Sequence, residues 1–236
     1  MTDVRFGTAT DVGSVREANE DAMLAEPPVF VVADGMGGHA HGEVASALVV
    51  DHLRGLAGHE RLTVDEVTEA VDSLNAVVQE AAWESPALGG MGTTAVGVVV
   101  VEHEGAPCWL AFNIGDSRLY RFTAGVLEQV SVDHSLVQEL LDSGQITARD
   151  IPDHPQRSVI TRVLGTAGPV EPDFWLLPLE GRLLLCSDGL STEVDDGAIA
   201  ELLAERADPQ EAADALVAAA LAAGGRDNVT VVVVDV

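Results

Sequence analysis

Four aspartates stand at the borders of apolar runs with glycine close by, and chemistry would reside there. Asp34 closes VFVVA and precedes Gly35, Asp188 follows LLLCS and precedes Gly189, and Asp116 follows AFNIG. Asp227 follows Gly224-Gly225-Arg226 and leads into the last apolar run. Glycine at a strand end lets another backbone approach closely. Taken singly, Asp-Gly is also a favoured hairpin turn. Taken together the acids suggest convergence, because turn acids scatter over both ends of a sheet. Converging carboxylates disfavour each other's charge and stay ionised only with cations between them. Oxygen ligands without cysteine or a regular histidine pair select Mg²⁺ or Mn²⁺ over zinc.

Upstream, Arg16-Glu17-Ala18-Asn19-Glu20-Asp21 places a guanidinium shortly before two acids. The planar fork of an arginine can hold two phosphate oxygens while the acids bind metal; the same stretch also reads as a solvated charged loop. Gly35-x-Gly37-x-x-Ala40 fits the dinucleotide fingerprint between a strand and a helix. Against that, Asp34 would set a carboxylate beside a pyrophosphate, and no βαβ repeat of the right size follows. His39-x-His41 at a helix entrance could bind metal or cap the helix. His134 and His154 fall in a polar middle stretch, where a lone histidine is structural or catalytic. A nucleophilic serine elbow, G-x-S-x-G, does not occur.

Strands and helices must present these groups. Residues 29–33 read as a buried strand, and 43–56 and 63–84 carry helical spacing of apolar residues. Asp65 and Glu66 favour the positive end of the second helix dipole. Strands are expected at 92–101, 108–114, 117–122, 126–130, 174–177, 182–186 and 228–234, and helices at 135–143, 197–205 and 209–223. Strands without regular βα alternation indicate antiparallel sheets with helices outside them, an α+β fold in layers. No linker, repeat or low-complexity run interrupts residues 1–236, which read as a single domain.

The chain of 236 residues has 12 basic and 39 acidic side chains, a net charge of −27, and every basic residue is arginine. Without lysine there is no P-loop, Schiff base or serine–lysine pair. So acidic a chain repels nucleic acid and anionic lipid, whose binding rests on basic patches. The 47% hydrophobic content speaks against disorder. Cys108 and Cys186 lie in apolar runs and are expected to be buried, reduced thiols, as suits the cytoplasm. Neither a leader pattern nor an apolar run of the ~18 residues of a membrane span is present, so a cytoplasmic protein is expected.

With Arg16–Asp21 in place, DGMGG at 34–38, MGTT at 91–94, GDSRLYR at 115–121, DHS at 133–135, CSDGL at 186–190 and RDNVTVVVV at 226–234 follow in order. In these blocks the chain resembles the metal-dependent protein phosphatases of the protein phosphatase 2C type, in their compact bacterial form. The resemblance implies a four-layer α-β-β-α sandwich, two antiparallel sheets flanked by helices. It implies a protein serine/threonine phosphatase with two Mn²⁺ or Mg²⁺ ions and a third beside them. Asp34 would bridge the pair, Asp188 and Asp227 would complete the first ion, and Glu20 and the Gly35 carbonyl would serve the second. Asp21 would act through water, Asp116 with Asp188 would hold the third ion, and Arg16 would clamp the phosphate. Residues 135–165 would form a flap. A water between the two ions would attack phosphorus without a phosphoenzyme. Met36 stands where eukaryotic members carry a histidine, leaving His39, His154 or metal-bound water as the leaving-group acid. His-flanked Glu43 is one further candidate acid. The implied partners are phosphorylated proteins made by a Ser/Thr kinase, met by a monomer without nucleic acid or membrane. The alternatives are a pseudophosphatase that binds phosphoproteins without turnover and, less favoured, a dinucleotide-binding protein.

Overall fold

A computed structural model describes residues 4–37 and 41–236. In chain order the elements are β1 (Arg5–Asp11), β2 (Asp21–Glu26), β3 (Val29–Met36), α1 (Gly42–Arg54), α2 (Val64–Asp72), α3 (Leu74–Glu84), β4 (Gly92–Thr93), β5 (Ala95–His103) and β6 (Ala106–Ile114). There follow β7 (Arg118–Thr123), β8 (Val126–Gln129), α4 (Leu136–Asp142), β9 (Asp173–Leu177), β10 (Arg182–Cys186), α5 (Asp188–Ser191), α6 (Asp196–Glu205), α7 (Pro209–Ala223) and β11 (Val229–Asp235). One sheet runs β1-β11-β10-β7-β8, the other β2-β3-β5-β6-β9 with β4 against β3. All these strand pairs are antiparallel.

The apolar runs are continuous because their strands are covered on both faces. In β3, Val29, Val31 and Ala33 pack outward against α1–α3, while Phe30 and Val32 face the second sheet. In β11, Val229, Val231 and Val233 pack outward with α5–α7, and Val232 and Val234 face inward. Trp109, Leu119, Leu183 and Leu185 complete the layer between the sheets. Each such side chain contributes roughly 1.5–3 kcal/mol on burial. The four layers α-β-β-α follow directly, as the resemblance implied.

Two local expectations are corrected. Residues 63–84 are not one helix: the chain breaks at Ser73, whose hydroxyl bonds the Ala70 carbonyl at 2.7 Å and His52 Nε2 at 2.8 Å. Such back-bonding bends helices. Thr63 and Glu66 close a reciprocal capping box at the start of α2. Residues 92–101 divide at Thr94 into β4 and β5, and that break serves the site. Both cysteines are free, Cys186 buried and Cys108 only half-buried.

Candidate metal centre

Asp34 lies two residues before the end of β3, opposite Asp21 at the start of β2. Its backbone is held from three directions. Asp34 N donates to Thr94 Oγ1 at 3.0 Å, and its carbonyl accepts from Thr94 N and Thr93 Oγ1, both at 2.9 Å. Leaving the ladder at Thr94 frees that residue for this work, and Thr94 Oγ1 also meets Ser117 Oγ at 2.7 Å, beside Asp116. Gly35 N donates to the Glu20 carbonyl at 3.1 Å, which also accepts from Ser46 Oγ at 2.6 Å. A Cβ on Gly35 would stand 2.3 Å from the Gly42 carbonyl and 2.4 Å from that of Glu20, so only glycine fits. Asn228 closes the loop before Glu20: its Oδ1 accepts from Glu20 N at 2.8 Å and its Nδ2 donates to the Val12 and Ala18 carbonyls at 2.9 Å.

The other sheet supplies the opposite wall. Asp188 follows β10, and Asp227 precedes β11, which runs antiparallel to β10, so both acids lie at one edge. Ser187 Oγ donates to Asp21 Oδ2 at 2.8 Å and accepts from Thr230 N at 3.0 Å, joining the two sheets. Arg16 Nη2 donates to Asp227 Oδ2 at 2.7 Å, and Asp227 Oδ1 accepts from Asn228 N at 2.8 Å. Asp116 follows Gly115, whose φ of +106° and close approach to Thr94 at 2.5 Å from a would-be Cβ both demand glycine.

Electrostatics separate this edge from the rest of the molecule. Burial, followed by the charges of Asp21, Asp188, Asp116 and Asp227, holds the Asp34 pKa well above the usual carboxylate range. Burial, then Asp188 and Asp133, pushes Asp116 up to about 7. Burial and Asp227 push Asp188 up to about 6. Burial raises Asp21 to about 6 against the opposing hydrogen bonds of Thr230 and Ser187. Among the described residues, Asp21 Oδ1 and Asp116 Oδ1 are buried without a hydrogen-bond partner, an expensive state for a carboxylate unless a cation or proton satisfies it. Among the described residues no three His, Cys, Asp or Glu side chains are already gathered into a metal-binding set. Asp227 is engaged by Arg16. Oxygen donors, orphaned carboxylate atoms and mutual repulsion together fit hard divalent cations.

Asp21, Asp34, Asp116, Asp188 and Asp227 are therefore brought to one electrostatic cluster, with the Glu20 backbone tied to Gly35 and Asn228. His39 lies outside the described residues. His154 accepts from Gln156 N at 3.2 Å and its backbone bonds Ile151, contacts confined to the flap. Glu43 is exposed at the start of α1 and accepts from His41 at 3.1 Å. The dinucleotide reading is corrected: Gly35 sits in a strand paired antiparallel with β2, β4 and β5, and among the described residues no parallel βαβ unit surrounds it. Thr93, Thr94, Ser187, Asn228 and Gly42 carry the scaffold of the site without having drawn attention singly. The RDN triplet, the paired threonines of MGTT and the serine of CSDGL are their sequence signal.

A sequence profile of the family described as Protein phosphatase 2C matches residues 14–223. The serine/threonine phosphatase stp of Listeria monocytogenes is 37% identical over 240 residues, covering 96% of this chain and 93% of that protein. The crystal structure of the Mycobacterium tuberculosis serine/threonine phosphatase PstP/Ppp superposes with a TM-score of 0.90 at 38% identity, over 99% of this chain and 98% of that one. A second structure, of the PstP catalytic domain in complex with two manganese ions, gives 0.87 at 37% identity over 98% and 97% of the two chains. The chain belongs to the protein phosphatase 2C family, the metal-dependent protein serine/threonine phosphatases.

Proposed function

We propose that the carboxylate edge hydrolyses phosphoserine and phosphothreonine in proteins with two Mn²⁺ or Mg²⁺ ions and a third beside them. The observation that carries this reading is Asp34, half-buried amid four other aspartates that all raise its pKa. The manganese pair of the PstP catalytic domain supports it. Asp34 would be shared by both ions of the pair, Asp188 and Asp227 would hold the first, and Glu20 and the Gly35 carbonyl the second. Asp116 and Asp188 would hold the third, and Asp21 would order water through its unpartnered Oδ1. When bound, the cations supply the Lewis acidity that makes water a competent nucleophile toward phosphorus.

The protein's own groups do the rest. Arg16 exchanges its bond to Asp227 for the phosphoryl oxygens, and neutralises charge that grows as the ester breaks. Thr93 and Thr94 hold Asp34 in place, so the carboxylate needs no reorganisation when charge develops. His39, His154 or a water held in the site would protonate the departing oxygen. No phosphoenzyme is required: burial pushes the Cys186 thiol up to about 12, far from a nucleophilic thiolate.

The substrates are phosphoproteins produced by a Ser/Thr kinase, met by a monomer in the cytoplasm, where the free thiols remain reduced. A net charge of −27 favours basic segments around the phosphosite over nucleic acid. The test is turnover of a phosphothreonine peptide with Mn²⁺, lost in chelator and restored by metal. No turnover across Mn²⁺, Mg²⁺ and Co²⁺ overturns the reading.

A further inference from the structure

His134 is buried, with 5% of its surface exposed, and the side-chain contacts of its ring run to Gly115, Asp173 and Arg162. It grips Gly115 from both sides: Gly115 N donates to His134 Nδ1 at 3.1 Å, and His134 N donates to the Gly115 carbonyl at 2.9 Å. Gly115 is the left-handed residue directly before Asp116, the most pliable point of that turn. Because Gly115 N–H donates to Nδ1, the proton of the neutral ring sits on Nε2, which has Asp173 Oδ2 and Arg162 Nη1 both at 3.1 Å. Only the carboxylate can accept that proton, so Nε2 donates to Asp173 and the guanidinium lies against the ring without a hydrogen bond to it. The other Asp173 oxygen accepts from Arg162 Nη1 at 2.9 Å, and Arg162 also bonds the Glu171 carbonyl at 3.0 Å. The stretch 159–165 that carries Arg162 is bound back at both ends. Thr161 N donates to the His134 carbonyl at 2.8 Å, while Leu164 exchanges hydrogen bonds with Thr93, the residue that holds Asp34.

We propose that His134 is a positioning residue that locks the Gly115–Asp116 turn for the third cation, and that Asp173 and Arg162 tie this lock to the base of the flap. This rests on Asp116 serving as a ligand of that cation. The flap base thus spans the two acids farthest apart in role, Asp34 through Thr93 and Asp116 through His134. An outer hydrogen-bond partner of this kind acts by fixing the orientation of the ligand.

The experiment is a Mn²⁺ titration of the whole chain by calorimetry, resolving tight and weak sites, for wild type and for His134→Leu, His134→Asn, Arg162→Leu and Asp116→Asn. His134→Leu is expected to weaken the weakest site on the order of 10–100-fold while the tight sites hold. His134→Asn keeps an acceptor for Gly115 N–H and is expected to recover most of that loss. Arg162→Leu should weaken the same site by a smaller factor. Activity on p-nitrophenyl phosphate should fall in kcat at fixed Mn²⁺, with KM nearly unchanged. A His134→Leu or His134→Asn protein that loses tight and weak sites together has lost structure in general, which overturns the positioning role. Wild-type titration of His134→Leu also overturns it, and wild-type titration of Arg162→Leu overturns the link to the flap. If Asp116→Asn itself titrates as wild type, the fault lies in the ligand assignment rather than in the relay.

Discussion

The two walls of the carboxylate edge are built on different principles. On the six-stranded side, Asp34 is fixed through its backbone by neutral hydrogen bonds with Thr93 and Thr94, and its half-buried carboxylate is left for a cation. On the five-stranded side, Asp227 is fixed through its carboxylate, by a half-exposed ion pair with Arg16. A backbone clamp leaves the ligand atoms free; a side-chain ion pair must be exchanged before the ligand can serve. One wall is therefore a permanent mount and the other holds a removable counterion, and the counterion is the group proposed to receive phosphate.

The largest effect should come from the permanent mount. Asp34→Asn keeps the backbone clamp but removes the charge proposed to be shared by two cations, and kcat on a phosphothreonine peptide should fall on the order of 10³-fold. Arg16→Ala should act in two directions that separate the walls. With its counterion gone, Asp227 should bind the first Mn²⁺ more tightly, while kcat/KM falls by about 10²-fold for want of the phosphate clamp. Calorimetry and steady-state kinetics on the same preparation check both. Weaker metal binding in Arg16→Ala would show that the ion pair helps build the site instead of guarding it.

Asn228→Ala strikes the scaffold common to both walls. It strips partners from Glu20 N and from the Val12 and Ala18 carbonyls. About 2 kcal/mol of stability should be lost, together with Mn²⁺ affinity, in denaturant unfolding and metal titration.

The smallest effect is a pH dependence whose sign the acids set. Asp21, Asp34, Asp116 and Asp188 all have pKa values above the unfolded value. The folded chain then holds more protons than the unfolded one, so their contribution is present at low pH and lost as pH rises through about 6–7. His134, lowered mainly by burial, has the opposite sign, as does Asp173, where the His134 and Arg162 bonds outweigh burial. The more numerous acids of the cluster prevail. In chelator, Tm should be higher at pH 6 than at pH 8 by ~5 °C, and saturating Mn²⁺ should abolish the difference. Scanning fluorimetry reads this directly, and a Tm that rises with pH in chelator would contradict it.

The acids at this edge were legible because each one interrupts an apolar run, and the runs themselves reported strands covered on both faces. Strands β1 and β2 were not legible. RFGTATD and DAMLAE lie at sheet edges, where one-sided burial dilutes the apolar signal with Thr, Ala and Gly. Helices α2 and α3 keep a single apolar periodicity through Ser73, so only the hydroxyl's contacts reveal the break. Arg16 was legible as a cation beside acids, but its ion pair joins residues 211 apart in sequence and has no local signature. The same holds for Asn228, His134 and Thr94, whose importance lies in backbone groups they reach across the fold.

Anomalous scattering from a crystal grown with Mn²⁺ shows whether the two walls meet on shared cations. Two strong peaks at the Asp34 carboxylate are expected, with Arg16 released from Asp227. No peak at Asp34, or Mn²⁺ bound elsewhere with the Arg16–Asp227 pair intact, would contradict it.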